Sequence, residues 1–208
     1  MLYTFLRWCP GALGLLLRQK MYPIYLKECG RNVLFGRFVD LRDGLDSITI
    51  GSGVVINDFV TLQGCSGKSS GAALIIENNV FIGAATTVKL TNGNIVIQSG
   101  SNLGSECVIQ SDQTVLIEKD VLAAAFCEIG KSNQNGGQSS EDEHLRFDGE
   151  EKTTRIGSGC WLGVRSKIKA GVCIGKGTII GAHATVITDI PDHVTAIGSP
   201  VKVFHKRR

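Results

Sequence analysis

Aromatic residues are scarce in this chain, 6% of 208 residues, although hydrophobic residues make up 43%. With so few large rings, the core has to be narrow and filled by small aliphatic side chains. The seven cysteines, Cys9, Cys29, Cys65, Cys107, Cys127, Cys160 and Cys173, include no CxxC pair, which removes zinc-ribbon and thioredoxin-like readings. Their odd number and the lack of a pairing framework fit a reducing compartment. Net charge is only +3 and no basic stripe runs through the sequence, so nucleic acid is excluded as a partner. No apolar run is long enough to cross a bilayer. The stretch 2–17 is apolar but is broken by Arg7, Pro10, Gly11 and Gly14, whereas a span needs about 20 apolar residues. It also lacks the basic start and small-residue cleavage site of a signal peptide.

What the chain does have is glycine, 26 residues of it, and a period. From Ile156 to Val186 the sequence places Ile156, Leu162, Ile168, Ile174, Ile180 and Val186 six residues apart. Neither an amphipathic helix nor a simple alternating strand gives that spacing. It is the hexapeptide repeat of a solenoid of short parallel strands. The same spacing groups Ile50, Ile56, Leu62; Ile76, Ile82, Val88; Ile97, Leu103, Ile109; and Ile117, Ala123, Ile129 into coils, with weaker signs at Val33 and Val39. An all-β fold of about six coils is expected, occupying 33–190. Cys107, Cys127 and Cys160 fall two residues before a repeat aliphatic and read as small core residues. Glycines after the repeat aliphatics, such as Gly163 and Gly181, read as corner residues.

Coil starts are separated by 26, 21, 20, 39 and 18 residues, and whatever exceeds 18 must leave the coil. The largest excess is an insertion over 130–153 that holds Glu141, Asp142, Glu143 and His144. A patternless loop of that length is functional or disordered. The segment 1–32 pairs its apolar run with Arg18, Lys20, Lys27 and Arg31. Two readings of it are compatible: a peripheral contact with a membrane surface, or a helix that caps the solenoid or packs on a neighbouring subunit. The tail 191–208 starts with Pro191 and carries Lys202, His205, Lys206, Arg207 and Arg208.

The steps Trp161–Leu162–Gly163, IKAG, VCIGKGTIIGAHATVITDIP and AIGSPVKV resemble the left-handed β-helix hexapeptide acyltransferases. The upstream segments LRWCPGALGLLLRQKMYP, CGRNVLFGRFVDLR and ITIGSGVVIND are similar to the subgroup that acetylates polysaccharides or lipid-linked sugars at the inner membrane face. The resemblance covers nearly the whole chain. It implies a left-handed parallel β-helix, a homotrimer, acetyl-CoA as acyl donor, no metal, and a saccharide or lipid-linked sugar as acceptor. It also implies a cytoplasmic protein at the inner face of the membrane.

For the cofactor, the same resemblance nominates Trp161, Gly163, the corner Gly181, Ala182 and His183, then Thr188, Lys202 and Lys206. The family's general base is a loop histidine. Here Lys131, Ser132, Asn133, Gln134 and Asn135 stand where it is expected, and His144 is the nearest histidine. His144 is therefore the nominated base, a role that suits imidazole near neutral pH. The departure at 131–135 also fits a catalytically silent scaffold or partner of an active paralogue. Metal-dependent hydratases of the same fold need three histidines from neighbouring coils, and only His183 lies in a repeat.

Overall fold

A computed structural model describes residues 6–65, 72–111, 113–131 and 153–206, apart from the side chains of 111, 205 and 206. The nominated base His144 lies outside these residues, as does the side chain of Lys206. The chain folds into a left-handed parallel β-helix, a three-sided prism in which each coil gives one strand to each side.

The first side is a sheet of β1 (Glu28–Cys29), β4 (Ile48–Ile50), β7 (Ala73–Ile76), β10 (Asn94–Ile97), β13 (Val115–Ile117), β16 (Thr154–Ile156) and β19 (Cys173–Ile174), in that order. The second runs β2 (Leu34–Phe35), β5 (Val55–Ile56), β8 (Phe81–Ile82), β11 (Asn102–Leu103), β14 (Leu122–Ala123), β17 (Trp161–Leu162), β20 (Ile179–Ile180), β22 (Val194–Ile197) and β23 (Lys202–Lys206). The third runs from β3 (Asp40–Arg42) through β6 (Thr61–Gln63), β9 (Thr87–Leu90), β12 (Val108–Ser111), β15 (Glu128–Lys131) and β18 (Lys167–Lys169) to β21 (Thr185–Val186). Neighbouring coils are in strict register, so repeat aliphatics stack on their counterparts: Ile97 pairs with Ile76 and Ile117 on the first side, and Leu162 with Ala123 and Ile180 on the second. All of these are fully buried and form one continuous core. Cys107, Cys127 and Cys160 join it, which accounts for small residues at those positions. Burial pushes the Cys160 thiol up to about 11, so it stays protonated and unreactive at neutral pH.

The solenoid starts one coil earlier than the secure repeat at Ile50. Cys29, Phe35 and Leu41 pair with Ile50, Ile56 and Leu62. They already hold the six-residue spacing, but with a cysteine and a phenylalanine in aliphatic places. At the other end the repeat of aliphatics stops at Val186, yet β22 (Val194–Ile197) adds one more parallel strand on β20. There the chain reverses, and β23 (Lys202–Lys206) pairs antiparallel with β22.

The three corners differ. Between the first and second sides, residues such as Asn79, Asp120 and Gly177 take positive φ. Between the second and third sides, a column of seven residues does so: Phe38, Phe59, Ala85, Glu106, Phe126, Arg165 and His183. Every insertion leaves at the third corner, after the strands of the third side. The 130–153 insertion leaves after β15 (Glu128–Lys131) and rejoins at β16 (Thr154–Ile156). Gly163 has an ordinary φ, but a Cβ there would meet the backbone nitrogen of Ala182 on the next coil at 2.5 Å, so close stacking of coils is what requires glycine.

The N-terminal segment closes the open end of the prism. Helix α1 (Gly11–Met21) and the 3₁₀ turn Tyr22–Tyr25 lie against β2. Tyr22 is fully buried, edge-on to Phe35 with ring centroids 5.1 Å apart. Arg18, 2% exposed, donates to the carbonyls of Phe35 at 3.0 Å, Leu6 at 3.1 Å and Cys9 at 2.9 Å. No helix among the described residues is long and apolar enough to cross a membrane.

Candidate active site

The corner column and the third side together make a cleft on the C-terminal coils. Glu106, Phe126, Arg165 and His183 come from the corner; Val108, Glu128, Lys167 and Thr185 are the outward residues of β12, β15, β18 and β21, and they enclose about 350 Å³. Strand alternation puts Ile109, Ile129, Ile168 and Val186 inward, so their neighbours at the preceding position must face out. Across the floor, Lys167 Nζ lies 3.0 Å from Glu128 and Lys131 Nζ 3.8 Å from the same carboxylate. Along the wall the Arg165 guanidinium sits over the Phe126 ring. The cleft thus offers an imidazole, an aromatic face, two carboxylates and the two cations Arg165 and Lys167. Among the described residues no group of His, Cys, Asp and Glu could hold a metal ion.

The nominated residues divide by location. Trp161 is half exposed on β17, flanked by Leu122 and Ile179 on the neighbouring coils. Gly163 and the corner Gly181, Ala182 and His183 stack on consecutive coils. The C-terminal hairpin joins them: a Cβ on Gly181 would touch Ile197, which pairs with Lys202, and Ser199 Oγ lies 2.9 Å from Thr185 Oγ1. Trp161, Gly163, Gly181, Ala182, His183 and Lys202 therefore share one neighbourhood. Thr188 does not; it is exposed beyond the far end of β21, across the third side from His183. The insertion carrying His144 is rooted on that far side, at Lys131 and Thr154. Ala184 is buried in the same inward column as Cys107, Cys127 and Ser166.

Phe126, Arg165, Glu128 and Lys167 were not among the nominated residues. Aligning the repeats exposes them: Phe126, Arg165 and His183 each lie three places after a second-side aliphatic, and Glu128 and Lys167 one place before a third-side aliphatic.

A larger cavity, about 660 Å³, lies on the first side among Glu118, Arg155, Cys173, Lys176, Asp189 and Asp192. Its carboxylates already hold the fold together. Glu118 accepts from the Ser158 backbone N–H at 2.9 Å, the Ser158 hydroxyl at 2.7 Å and Arg155 Nε at 2.6 Å. Asp189 accepts from the Cys173 N–H and Asp192 from the Lys176 N–H. Burial would raise the Glu118 carboxyl, but the hydrogen bonds from Ser158 and Arg155 outweigh it and hold the group below its ordinary range. None of the nominated residues lines this cavity.

The fold and repeat define a hexapeptide-repeat β-helix protein. Residues 153–188 match the family described as bacterial transferase hexapeptide (six repeats). In sequence it is similar to Rv3034c of Mycobacterium tuberculosis, described as a probable acetyltransferase, at 31% identity over 140 residues. That match takes in 66% of this chain and 45% of the relative, so the chain spans about half of that relative's length. Two solved structures share the fold. A mutant of AntD, an N-acyltransferase from Bacillus cereus in complex with dTDP and coenzyme A, is 20% identical with a TM-score of 0.57, over 92% of this chain and 89% of that one. The polysialic acid O-acetyltransferase OatWY is 18% identical with a TM-score of 0.56, over 86% of this chain and 88% of that one.

Proposed function

We propose that the protein is a coenzyme A-dependent O-acetyltransferase acting on a hydroxyl of a cell-envelope polysaccharide or lipid-linked sugar. The observation that carries the reading is the cleft of His183, Arg165, Phe126 and Glu128, on coils that overlap the transferase-family match. The name of the mycobacterial relative supports acetyl transfer. The titles of AntD and OatWY support coenzyme A as carrier and a sugar as acceptor.

In this reading the acceptor hydroxyl attacks the thioester carbonyl, its proton passes to an imidazole, and the thiolate of coenzyme A leaves and is protonated. The products are the O-acetylated sugar and the free thiol. Backbone N–H groups stabilise the oxyanion. An aromatic face such as Phe126 packs on a sugar ring, and the cations of the cleft serve an acidic sugar. Lys202 and Lys206 serve the cofactor phosphates, and Trp161 with the corner amides of Gly163, Gly181 and Ala182 flanks the pantetheine. The base is His144 by sequence position or His183 by its place in the cleft. No metal takes part.

Three copies would assemble through the second side. Its outward column is apolar at Leu34, Val55, Phe81, Leu122, Trp161 and Ile179, and Trp161 and Leu122 remain 50% and 44% exposed. Light scattering on the purified protein checks the trimer.

The activity is tested by following free thiol released from acetyl-CoA with a panel of acidic and neutral oligosaccharides. Acceptor-dependent release that falls at least about a hundredfold in His183→Gln or in His144→Gln supports the reading and names the base. A second reading, a silent scaffold, is favoured by Lys131–Asn135 standing where the family's histidine is expected. A folded protein that shows no acetyl-CoA binding by calorimetry would establish the scaffold and overturn the enzyme.

A further inference from the structure

Helix α1 carries large apolar side chains beyond the side that is covered. Gly14, Leu17, Arg18 and Met21, at helical spacing, face the end of the solenoid, where Gly14 and Arg18 are buried and Leu17 and Met21 pack on the core. A second stripe, about a third of a turn round the helix from the covered one, holds Leu13, Leu16 and Lys20, all exposed. Leu13 is 65% and Leu16 55% exposed, and the flanking segments add Trp8 at 60%, Ile24 at 75% and Tyr25 at 46%. A cluster of large exposed apolar groups on one short segment marks a contact surface.

Charge indicates the partner. Between Leu6 and Arg31 the cations are Arg7, Arg18, Lys20, Lys27 and Arg31, against the single carboxylate Glu28. Lys20, Lys27 and Arg31 are exposed beside the apolar groups. Tryptophan, tyrosine and leucine next to lysine and arginine is the chemistry of a segment lying in a bilayer interface, where rings and aliphatic groups sit at the headgroup level and cations meet acidic headgroups. Position agrees. The cap lies across the end of the prism, whereas the apolar column of Leu122 and Trp161 that suits side-by-side copies lies on a lateral face. Assembly through that face leaves the end free.

We propose that the outer side of this cap, Trp8, Leu13, Leu16, Ile24 and Tyr25 with Lys20, Lys27 and Arg31, docks the protein onto an anionic lipid bilayer. The cytoplasmic leaflet carries that charge, so the docked protein would present its lateral clefts to acceptors held at the membrane. This docking does not depend on the acetyl-transfer reading.

Co-sedimentation of the full chain with phosphatidylglycerol-containing vesicles, and with phosphatidylcholine vesicles as control, tests it. The wild type should pellet with the anionic vesicles and be released by salt. Leu13→Glu with Leu16→Glu should weaken binding about tenfold or more. Lys20→Glu with Lys27→Glu should weaken binding to anionic vesicles alone. All four positions are exposed, so unchanged melting curves confirm folded variants. Thiol release with a soluble acceptor should also be unchanged, which separates failure of docking from failure of the enzyme reading. A wild type that stays in the supernatant, or a Leu13/Leu16 variant that pellets as well as the wild type, overturns the proposal. So does a Leu13/Leu16 variant of altered oligomeric mass with unaltered vesicle binding, which would make the face a contact between copies.

Discussion

The guanidinium of Arg165 lies over the ring of Phe126, 5.2 Å from its centroid. The two residues occupy equivalent corners of consecutive coils, and the 130–153 insertion separates them in sequence. The coil after the insertion thus resumes in register with the coil before it, and the pair fixes one wall of the cleft.

Removing the cation should separate binding from stability. An exposed cation–π pair is worth about 0.5–1 kcal/mol, so Arg165→Ala should shift the denaturant midpoint only slightly. A charged donor lost from the cleft costs a bound acceptor about tenfold in kcat/KM. Steady-state kinetics with an acidic acceptor, set beside the unfolding curve, checks both halves.

Glu118 predicts a pH dependence of stability. Its folded pKa is depressed below the ordinary value, so its contribution is present above the unfolded pKa and is lost as pH falls through the folded one. Glu118→Gln should therefore be less stable than the wild type at neutral pH, and the two curves should converge as pH drops below about 4.5. Unfolding midpoints across that range are the measurement; parallel curves would remove Glu118 from the ledger of ionised groups that bind the coils together.

Arg18 predicts a large loss of stability at a site far from the cleft. Replacing it with Met keeps most of the volume but leaves the carbonyls of Leu6, Cys9 and Phe35 without their buried donor. Stranding such groups costs about 3 kcal/mol or more. Arg18→Lys should recover little, because one ammonium cannot reproduce a planar fork of donors. Chemical denaturation reads the difference directly.

The fold could be read from the sequence because each strand of the coils between β1 and β21 is two to four residues long and an inward aliphatic recurs at a fixed interval. Ile156, Leu162 and Ile168 announce a coil without knowledge of anything else. The first coil showed only weakly, at Val33 and Val39, because Cys29 and Phe35 fill aliphatic places, and β22 escaped because Ala196 replaces a branched residue after a shortened turn. The cleft was harder to see. Its residues face outward, where the period places no demand on side-chain type, so Phe126, Arg165 and His183 share a position but no chemistry. Only His183 was singled out, through its corner. Thr188, nominated from the same motif, lies at the other end of its strand because motif order follows the chain while a coil turns away from its own corner.

The reversal at β23 also sets a limit on growth. A stack of parallel coils presents unpaired strand edges at both ends, and another copy could in principle continue it indefinitely. At one end α1 and Arg18 occupy the opening and take up the Phe35 carbonyl. At the other, the second side ends in a strand running in the opposite direction, so an incoming coil would meet the wrong polarity there. Both ends of the solenoid thereby resist the addition of further coils, which removes the template for end-to-end growth as a fibre.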